Sequence, residues 1–344
     1  MTTIPEARPS AEAEAEAAIS VALCTHNGAR FVREQVRSIC LQTLPPSEIV
    51  LSDDASVDGC IELAAAAHRE CLDERPGLSI EFRVLRNSPA LRVTRNFEQA
   101  VRACRGKLIA LSDQDDVWHQ ERLAQMAARF AQRPDLALLH TDACLVDSRG
   151  APLRGSLFHA LEVKRNELDR IHSGAAFDVY LRRNLVTGAT TVFRRSLLDF
   201  ALPFPVEWLH DEWLGIIAAA VAGVDVLEVP LIDYRQHEAN QIGARRDSLL
   251  AKVRKALGSR GSTHVERAVK AELLLARLQT IGDKVERGTL EKVRSKLEHQ
   301  RFRAALPASR WSRAVPVLRE AMTGRYNKFG RGARGVVRDL FESV

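Results

Sequence analysis

Residues 19–54 read ISVALCTHNGARFVREQVRSICLQTLPPSEIVLSDD, and this stretch predicts a strand, a helix and a second strand. Its first seven residues form an apolar, β-rich run, and a helical pattern follows over residues 30–42. Pro45 and Pro46 end that helix, and residues 48–54 form a second apolar run that closes on two acids. A strand–helix–strand unit of this kind predicts two parallel strands in one sheet.

The same alternation continues along the chain. We predict a helix over residues 58–71, a strand over 79–85, a helix over 95–104 and a strand over 107–116. Strands that alternate with helices in this way are typical of the α/β class. We therefore expect a Rossmann-like, mostly parallel central sheet flanked by helices.

Polar side chains follow three of the predicted strands. His26 and Asn27 come after the first, Asp53 and Asp54 after the second, and the acidic run 113–116 closes the strand over 107–116. In an open parallel sheet, ligands bind beyond the carboxyl ends of the strands. The three clusters therefore predict one binding site at that edge.

Charge divides the 344 residues unevenly. Residues 1–18 are rich in Ala and Glu and predict a disordered tail. Residues 1–244 carry 26 Lys and Arg against 34 Asp and Glu, whereas residues 245–344 carry 24 against 10. We expect an α/β domain over 19–244 and a basic helical extension over 245–344.

The cysteines and the apolar runs indicate the cellular compartment in which we expect the protein. All six cysteines lie in the first half without a CxxC pair, and we expect reduced core residues. No uninterrupted apolar run reaches the roughly 18 residues of a spanning helix. Because the N-terminus lacks a basic-then-apolar leader pattern, we expect a cytoplasmic protein.

The strongest chemical motif is the acidic run that contains Asp113, Asp115 and Asp116. Carboxylates at this spacing can bind Mg²⁺ or Mn²⁺, which in turn would neutralise charge on a diphosphate. A lone acid–spacer–acid motif is more often a helix cap. Three carboxylates crowded at a strand end repel one another unless a cation is near, which favours the metal site.

Three further motifs suggest roles around a nucleotide. Asp53 can accept the ring N–H of a pyrimidine base. Asp211, at the start of a predicted helix, can act as a general base for a hydroxyl group, with Glu212 as the alternate candidate and helix capping as the simpler role. Arg235 suits a phosphate group, and His237 could complete a metal shell or contact the diphosphate.

Five motifs together resemble glycosyltransferase family 2, in a match that spans about residues 19–243. In this chain they read Cys24-Thr25-His26-Asn27, Asp53-Asp54-Ala55-Ser56-Val57-Asp58, Asp113-Gln114-Asp115-Asp116-Val117-Trp118, His210-Asp211-Glu212-Trp213, and Tyr234-Arg235-Gln236-His237 with Asn240 and Gly243. The chain departs from the family at Cys24, where Pro is usual, and at His26, where Tyr is usual. The last motif is similar to that of rhamnosyltransferases of cell-surface polysaccharide synthesis.

The resemblance implies a GT-A fold over residues 19–244 and inverting, metal-dependent transfer of a sugar, with rhamnose favoured, from a dTDP- or UDP-linked donor. The acceptor would be a saccharide or a lipid-linked saccharide, and the cofactor Mg²⁺ or Mn²⁺. Asp211 would be the base, Arg235 and His237 would contact the diphosphate, and Asp115 with His237 would hold the metal. The donor nucleotide would be bound by Thr25, His26, Asn27, Asp53, Asp54 and Asp113.

The basic C-terminal part is consistent with two interpretations. From Trp311 onward, Arg and Lys alternate with apolar residues, a pattern that favours either an anionic membrane or a helical hairpin packed on the domain. A nucleic-acid partner is not expected because no binding motif accompanies the charge. Two other functions remain as alternatives, an inactive sugar-nucleotide-binding relative and a nucleotidyltransferase. A nucleotidyltransferase would be expected to have a Gly/Lys-rich phosphate-binding loop after the first strand, which this chain lacks.

Overall fold

Residues 18–237 form a mixed α/β structure around a nine-stranded sheet, in a computed structural model that describes residues 18–237 and 260–341. In chain order the strands are β1 (Ile19–Thr25), β2 (Glu48–Asp53), β3 (Glu81–Arg86), β4 (Leu108–Ser112), β5 (Val117–Trp118), β6 (Leu136–Val146), β7 (Pro152–Ser156), β8 (Val192–Arg194) and β9 (Gly223–Arg235). They lie in the order β3-β2-β1-β4-β8-β6-β9-β5, with β7 paired to β6.

Helices cover the sheet and continue into the C-terminal part. Up to residue 237 they are α1 (Val32–Cys40), α2 (Cys60–Glu74), α3 (Arg92–Ala103), α4 (Arg122–Gln132), α5 (Leu157–Ala160), α6 (Arg165–His172), α7 (Ala176–Arg182), α8 (Leu198–Ala201) and α9 (His210–Val221). The C-terminal helices are α10 (Arg260–Ile281), α11 (Arg287–Ala304), α12 (Arg310–Met322), α13 (Arg325–Phe329) and α14 (Ala333–Phe341).

The first half of the sheet is parallel, which confirms the α/β class expected from the sequence. Strand β1 pairs with β2 on one side and with β4 on the other, and β2 pairs with β3, all in parallel. Thr25 lies opposite Asp53, and Leu23 lies opposite Ser112. The carboxyl ends of β1, β2 and β4 therefore meet at one edge of the sheet.

The second half is mixed, because β8 is antiparallel to both β4 and β6. The single strand predicted over residues 107–116 is wrong at its end: β4 stops at Ser112, and the acidic residues form a turn before the short β5. Strand β5 leaves β4 and pairs with β9, antiparallel at Val117 and Asp233. The turn between β4 and β5 thus brings the acids beside the end of β9.

The C-terminal helices share a hydrophobic core with the sheet domain. Leu274, Leu278 and Val293 are buried in the same cluster as Trp213 and Ile217 of α9. The basic helical part expected from the sequence is therefore present over residues 260–341, packed on the preceding domain. The predicted boundary at 244–245 and the tail over residues 1–17 lie outside the described residues.

Polar contacts reinforce this packing. Trp208 donates its indole N–H to the carbonyl of Lys270 at 3.2 Å, and Lys296 donates to the carbonyl of Leu181 at 2.6 Å. Within the two described segments, no helix combines the length and apolar character needed to cross a bilayer.

We predict that Leu278→Ala lowers the free energy of unfolding by about 2–5 kcal/mol, because it empties a fully buried position in the shared core. Val269→Ala on the same helix removes a side chain that is 37% exposed and should cost less than about 0.5 kcal/mol. Denaturant unfolding followed by circular dichroism and tryptophan fluorescence should give one transition. A separate early transition of the C-terminal helices would contradict the shared core.

Candidate active site

A cavity of about 1010 Å³ opens at the carboxyl edge of the parallel strands. Its volume is at the upper end of the range for small-molecule sites. The structure brings most of the predicted site residues to its wall, namely Thr25, His26, Asn27, Asp54, Asp113, Asp115, Asp211 and His237. Two predicted residues, Asp53 and Arg235, are buried behind the wall.

Asp53 organises the loop after β2. Its carboxylate accepts hydrogen bonds from the hydroxyl of Thr25 at 2.8 Å and from the backbone N–H of Ser56 at 2.9 Å. Burial would raise the pKa of Asp53, but these hydrogen bonds outweigh it and hold that pKa below its usual value. Asp53 is thus an ionised carboxylate that joins the ends of β1 and β2.

His26 and Gln114 join the loop after β1 to the acidic turn. The backbone N–H of His26 donates to Gln114 Oε1 at 2.8 Å, and Gln114 Nε2 donates to the His26 carbonyl at 3.1 Å. The pair needs a glycine beside it, since a Cβ on Gly28 would lie 2.1 Å from Gln114 Oε1. Sequence reasoning did not select Gln114, whose role appears only when the two loops meet.

Asn27 and Asp54 form the rim of the cavity at the ends of β1 and β2. Asn27 has a φ of 50° and accepts the N–H of Val57 at 3.0 Å. Asp54 accepts backbone N–H groups of Leu91 at 2.5 Å and Arg92 at 2.9 Å. Both side chains line the cavity while they fix neighbouring loops.

Four carboxylates are grouped around the acidic turn: Asp113, Asp115 and Asp211 line the cavity, and Asp116 is buried. Burial, then Asp115, then Asp211 raises the pKa of Asp113 to about 7. Burial, with Asp115 and Asp113, also raises the pKa of Asp116 well above its usual range, and its Oδ2 has no hydrogen-bond partner among the described residues. Burial is the larger shared cause and the neighbouring carboxylates are the second, and Arg122 offsets both only in part. A cation bound at these acids would relieve the repulsion between them.

Asp115 and His237 form a close pair of metal-type ligands in the cavity. His237 Nε2 lies 2.8 Å from Asp115 Oδ2, and the imidazole stacks on Phe31 with ring centroids 4.8 Å apart. Arg235 lies over the same phenyl ring, at 5.0 Å from its centroid. Phe31, which sequence reasoning missed, therefore supports both predicted residues of the last motif.

Arg235 holds the acidic turn from behind. Its backbone N–H donates to Asp116 Oδ1 at 3.0 Å, and its Nε donates to the Asp115 carbonyl at 2.7 Å. Its Nη2 lies 2.6 Å from a carboxylate oxygen of Glu34, and the side chain is only 3% exposed. Its predicted contact with a diphosphate stays a prediction. Asn240 and Gly243, from the same motif, lie outside the described residues.

Asp211 lies in the first turn of α9, on the part of the cavity wall that this helix forms with Gly188. Its Oδ2 accepts the backbone N–H of Gly188 at 2.8 Å, and its Oδ1 accepts that of Glu212 at 2.6 Å. Burial raises the pKa of Asp211, although these backbone hydrogen bonds partly offset the effect. A carboxylate with a raised pKa is a stronger base than a solvated one.

Glu212 points away from the cavity. Its carboxylate lies 2.6 Å from Lys270 Nζ on α10, and Lys270 also lies over the ring of Trp208. Of the two candidate bases in this motif, only Asp211 lines the cavity.

His210 is a second side chain that sequence reasoning did not select. It lines the cavity and stacks on Phe97 with ring centroids 3.7 Å apart, and within the part of the chain that the structure describes neither ring nitrogen has a hydrogen-bond partner. Burial lowers the pKa of His210 to about 3, so the imidazole is neutral near pH 7. A lone histidine at a helix start carries no sequence signal for this position.

The chemistry of the donors suits a hard divalent cation. Asp115 and His237 offer an oxygen and a nitrogen, and Mg²⁺ or Mn²⁺ commonly adds substrate phosphate oxygens to one or two protein carboxylates. Elsewhere in the described residues, His119, Cys144 and Asp233 bring ligand atoms within 4.8 Å of one another. His119 directly follows β5, Cys144 lies in β6 and Asp233 lies in β9. None of the three lines the cavity.

We predict that Gly188→Ala lowers the free energy of unfolding by about 1–3 kcal/mol through overpacking. A Cβ at this position would lie 2.8 Å from Nε2 of the buried His210 and 3.6 Å from Asp211 Cβ. Gly288→Ala, where a Cβ meets nothing within 4 Å, should be neutral or stabilising by up to about 1 kcal/mol. If both substitutions change the free energy of unfolding by the same amount, the cavity wall at Gly188 is not closely packed.

Comparison with known proteins identifies relatives of this chain. The chain is 28% identical over 144 residues to the putative teichuronic acid biosynthesis glycosyltransferase TuaG of Bacillus subtilis, covering 42% of this chain and 53% of TuaG. It is 24% identical over 227 residues to the putative glycosyltransferase EpsH of Bacillus subtilis, covering 64% and 61%. An uncharacterized Mycobacterium tuberculosis protein is 24% identical over 224 residues, covering 64% of this chain and 59% of that protein. The chain thus spans about three fifths or less of the length of these relatives.

Solved structures share the fold. S. aureus TarS 1-349 in complex with UDP-GlcNAc superposes with a TM-score of 0.56 at 17% sequence identity, over 83% of this chain and 72% of that one. This likeness, with the mixed sheet and the helical C-terminal part, confirms the expected GT-A fold. The family model for Glycosyl transferase family 2 matches residues 20–199, more than half of the chain. The protein belongs to glycosyl transferase family 2.

Proposed function

We propose that the protein transfers a glycosyl group from a nucleoside diphosphate sugar to a hydroxyl group of an acceptor, with inversion at the anomeric carbon. The observation that carries the proposal is one cavity with two chemically different walls. A candidate base, Asp211, lies on one wall, and the Asp115–His237 pair lies on another. Family membership and the likeness to TarS, which was solved with UDP-GlcNAc, support this class of donor.

The nucleoside would bind at the ends of β1 and β2. Thr25, His26 and Asn27 would contact it, together with Asp53, Asp54 and Asp113. Asp53 would act mainly by holding the loop, because its oxygens already accept hydrogen bonds from Thr25 and Ser56. Asp54 and Asn27 line the cavity, and their side-chain oxygens, which each accept a backbone N–H, have a second lone pair for a ligand.

The diphosphate and a metal ion would lie near Asp113, Asp115 and His237. Mg²⁺ or Mn²⁺ bound there would neutralise the charge that develops on the leaving diphosphate. Arg235 would keep the turn that carries Asp115 in place through its bonds to Asp115 and Asp116. Its positive charge would add to the field at the diphosphate, even though the guanidinium is buried.

Asp211 would take the proton from the attacking hydroxyl group. Attack on the anomeric carbon from the side opposite the diphosphate breaks the bond to the leaving oxygen and inverts the configuration. The N–H groups of Gly188 and Glu212 fix both oxygens of Asp211, so the base needs little reorganisation. The neutral His210 beside it can donate or accept a hydrogen bond to a sugar hydroxyl.

The finer identity of the substrates belongs to the same proposal. We infer a dTDP- or UDP-linked sugar, with rhamnose favoured by the last motif, and a saccharide or lipid-linked acceptor in cell-surface polysaccharide synthesis. The naming of TuaG for teichuronic acid biosynthesis supports a polysaccharide role. The reaction would take place in the cytoplasm, at the inner face of the membrane.

We predict that UDP or dTDP raises the melting temperature of the protein when Mn²⁺ is present, because a metal ion held by Asp115 and His237 would neutralise charge on the diphosphate. Ligand at about 100 times its Kd should add about 2.7 kcal/mol to the free energy of unfolding. Asp115→Asn should remove the metal-dependent part of the shift. A thermal-shift panel of nucleoside diphosphates, with and without metal, measures both effects.

Asp73→Asn, an exposed change on α2, is the matched control and should keep the full shift. If no nucleoside diphosphate stabilises the folded wild-type protein in the presence of metal, the donor proposal fails. A nucleotide shift without any turnover of the corresponding sugar donors would instead favour an inactive sugar-nucleotide-binding relative.

We predict that Asp211→Asn lowers turnover by about 10²–10⁴-fold and leaves nucleoside diphosphate binding nearly unchanged, since only the base is removed. Glu212→Gln, the adjacent residue that faces Lys270, should keep most of the turnover. Steady-state kinetics together with nucleotide titration separate the two effects. Comparable losses in both variants would remove Asp211 as the base.

The pH dependence gives a further check on the base. Asp211 works only when deprotonated, and its pKa is raised, so the rate should fall as the pH drops through a midpoint above the usual value of about 3.9. The residual rate of Asp211→Asn should lack this acidic decline. An unchanged acidic limb in the variant would assign that limb to another group.

A further inference from the structure

An apolar stripe on α12 faces away from the protein body. Trp311, Val315, Leu318 and Met322 recur at helical spacing, and they are 91%, 57%, 56% and 87% exposed. Residues at this spacing share one face of a helix. Such a row of large apolar side chains is unusual on a surface that meets only water.

The opposite face of α12 fixes the direction of the stripe. Arg313, Val317 and Glu320 are buried, and they recur on the side of the helix opposite Trp311. Arg313 donates to the carbonyl of Ala308 at 2.6 Å, and Glu320 lies 2.7 Å from the ring nitrogen Nδ1 of His299. The helix is therefore anchored, and its stripe is presented as part of a folded surface.

The segment that carries the stripe is cationic. Residues 305–341, all of them described, contain only two carboxylates, Glu320 and Asp339, and both are buried. Arg303 pairs with Asp339 at 2.6 Å, so that carboxylate does not offset the surface charge. The exposed cations of this segment are Arg310, Arg319, Lys328, Arg331 and Arg334.

We propose that this face of α12 docks on an anionic lipid bilayer, with the stripe inserted at the boundary between headgroups and acyl chains. Apolar side chains on one face, flanked by cations, are the pattern that binds in the plane of such an interface. Trp311 suits the boundary because its ring is apolar and its indole N–H can meet the polar headgroups. The absence of an exposed carboxylate over residues 305–341 favours anionic lipid over a second copy of this face, which would bring like charges together. The inference concerns α12 and does not depend on the transferase chemistry.

Co-sedimentation of the full-length protein with vesicles tests the docking. We expect the protein to bind vesicles of phosphatidylcholine with phosphatidylglycerol, and to bind vesicles of phosphatidylcholine alone more weakly. High salt should weaken the binding because it screens the cations. The triple variant Trp311→Gln, Leu318→Gln and Met322→Gln should lower the vesicle partition coefficient by at least about tenfold.

A matched triple variant controls for loss of apolar surface in general. Val206→Gln, Val229→Gln and Val265→Gln change exposed residues outside α12 and should bind vesicles as the wild type does. Circular dichroism and nucleoside diphosphate binding should be unchanged in both variants, which separates docking from the proposed transfer. The proposal is overturned if the wild type ignores anionic vesicles, if both triple variants bind equally, or if the stripe instead mediates a dimer that forms without lipid.

Discussion

The contact between the end of β9 and the turn after β4 is the constraint on which the candidate site depends. Arg235 binds the turn twice, through its backbone N–H to Asp116 and through its Nε to the Asp115 carbonyl. Arg235 belongs to a long paired strand, so its hydrogen bonds hold the turn against a rigid part of the sheet. His237, two residues further on, then reaches Asp115 at hydrogen-bond distance. This contact also holds together carboxylates that repel one another, since burial and then the neighbouring Asp115 and Asp211 raise the pKa of Asp113.

Helix α9 links the cavity to the C-terminal helices. Asp211 and Glu212 are neighbours in the chain, yet the first lines the cavity and the second pairs with Lys270 on α10. Further along α9, Trp213 is buried in the core that it shares with Leu278. The orientation of the proposed base therefore depends on packing from a region that contains none of the sequence motifs. This gives the C-terminal helices a structural role beside the proposed lipid contact.

Much of the fold and part of the site could be predicted from local pattern. Apolar runs that end in polar residues correctly indicated β1, β2 and β4, and hence the edge where Asp113 and His26 meet. The residues that support them, Gln114 and Phe31, could not be selected. Each makes its contact with a segment far away in the chain, and neither has a local spacing that marks it. The strand predicted over residues 107–116 failed at its end for the same reason: the chain leaves β4 because β5 pairs with β9, a segment far away in the sequence.

The sequence by itself determined the α/β class, the order of the family motifs and the basic character of the C-terminal part, because periodicity, residue type and charge are local properties of a chain. The tertiary structure alone decided which acid of a motif faces the cavity and that Arg235 is buried behind the acidic turn. It also decided that the α12 stripe stays uncovered. Each of these depends on which surfaces other segments occupy. Burial then sets the charge state, as at His210, whose pKa falls because the fold removes it from water.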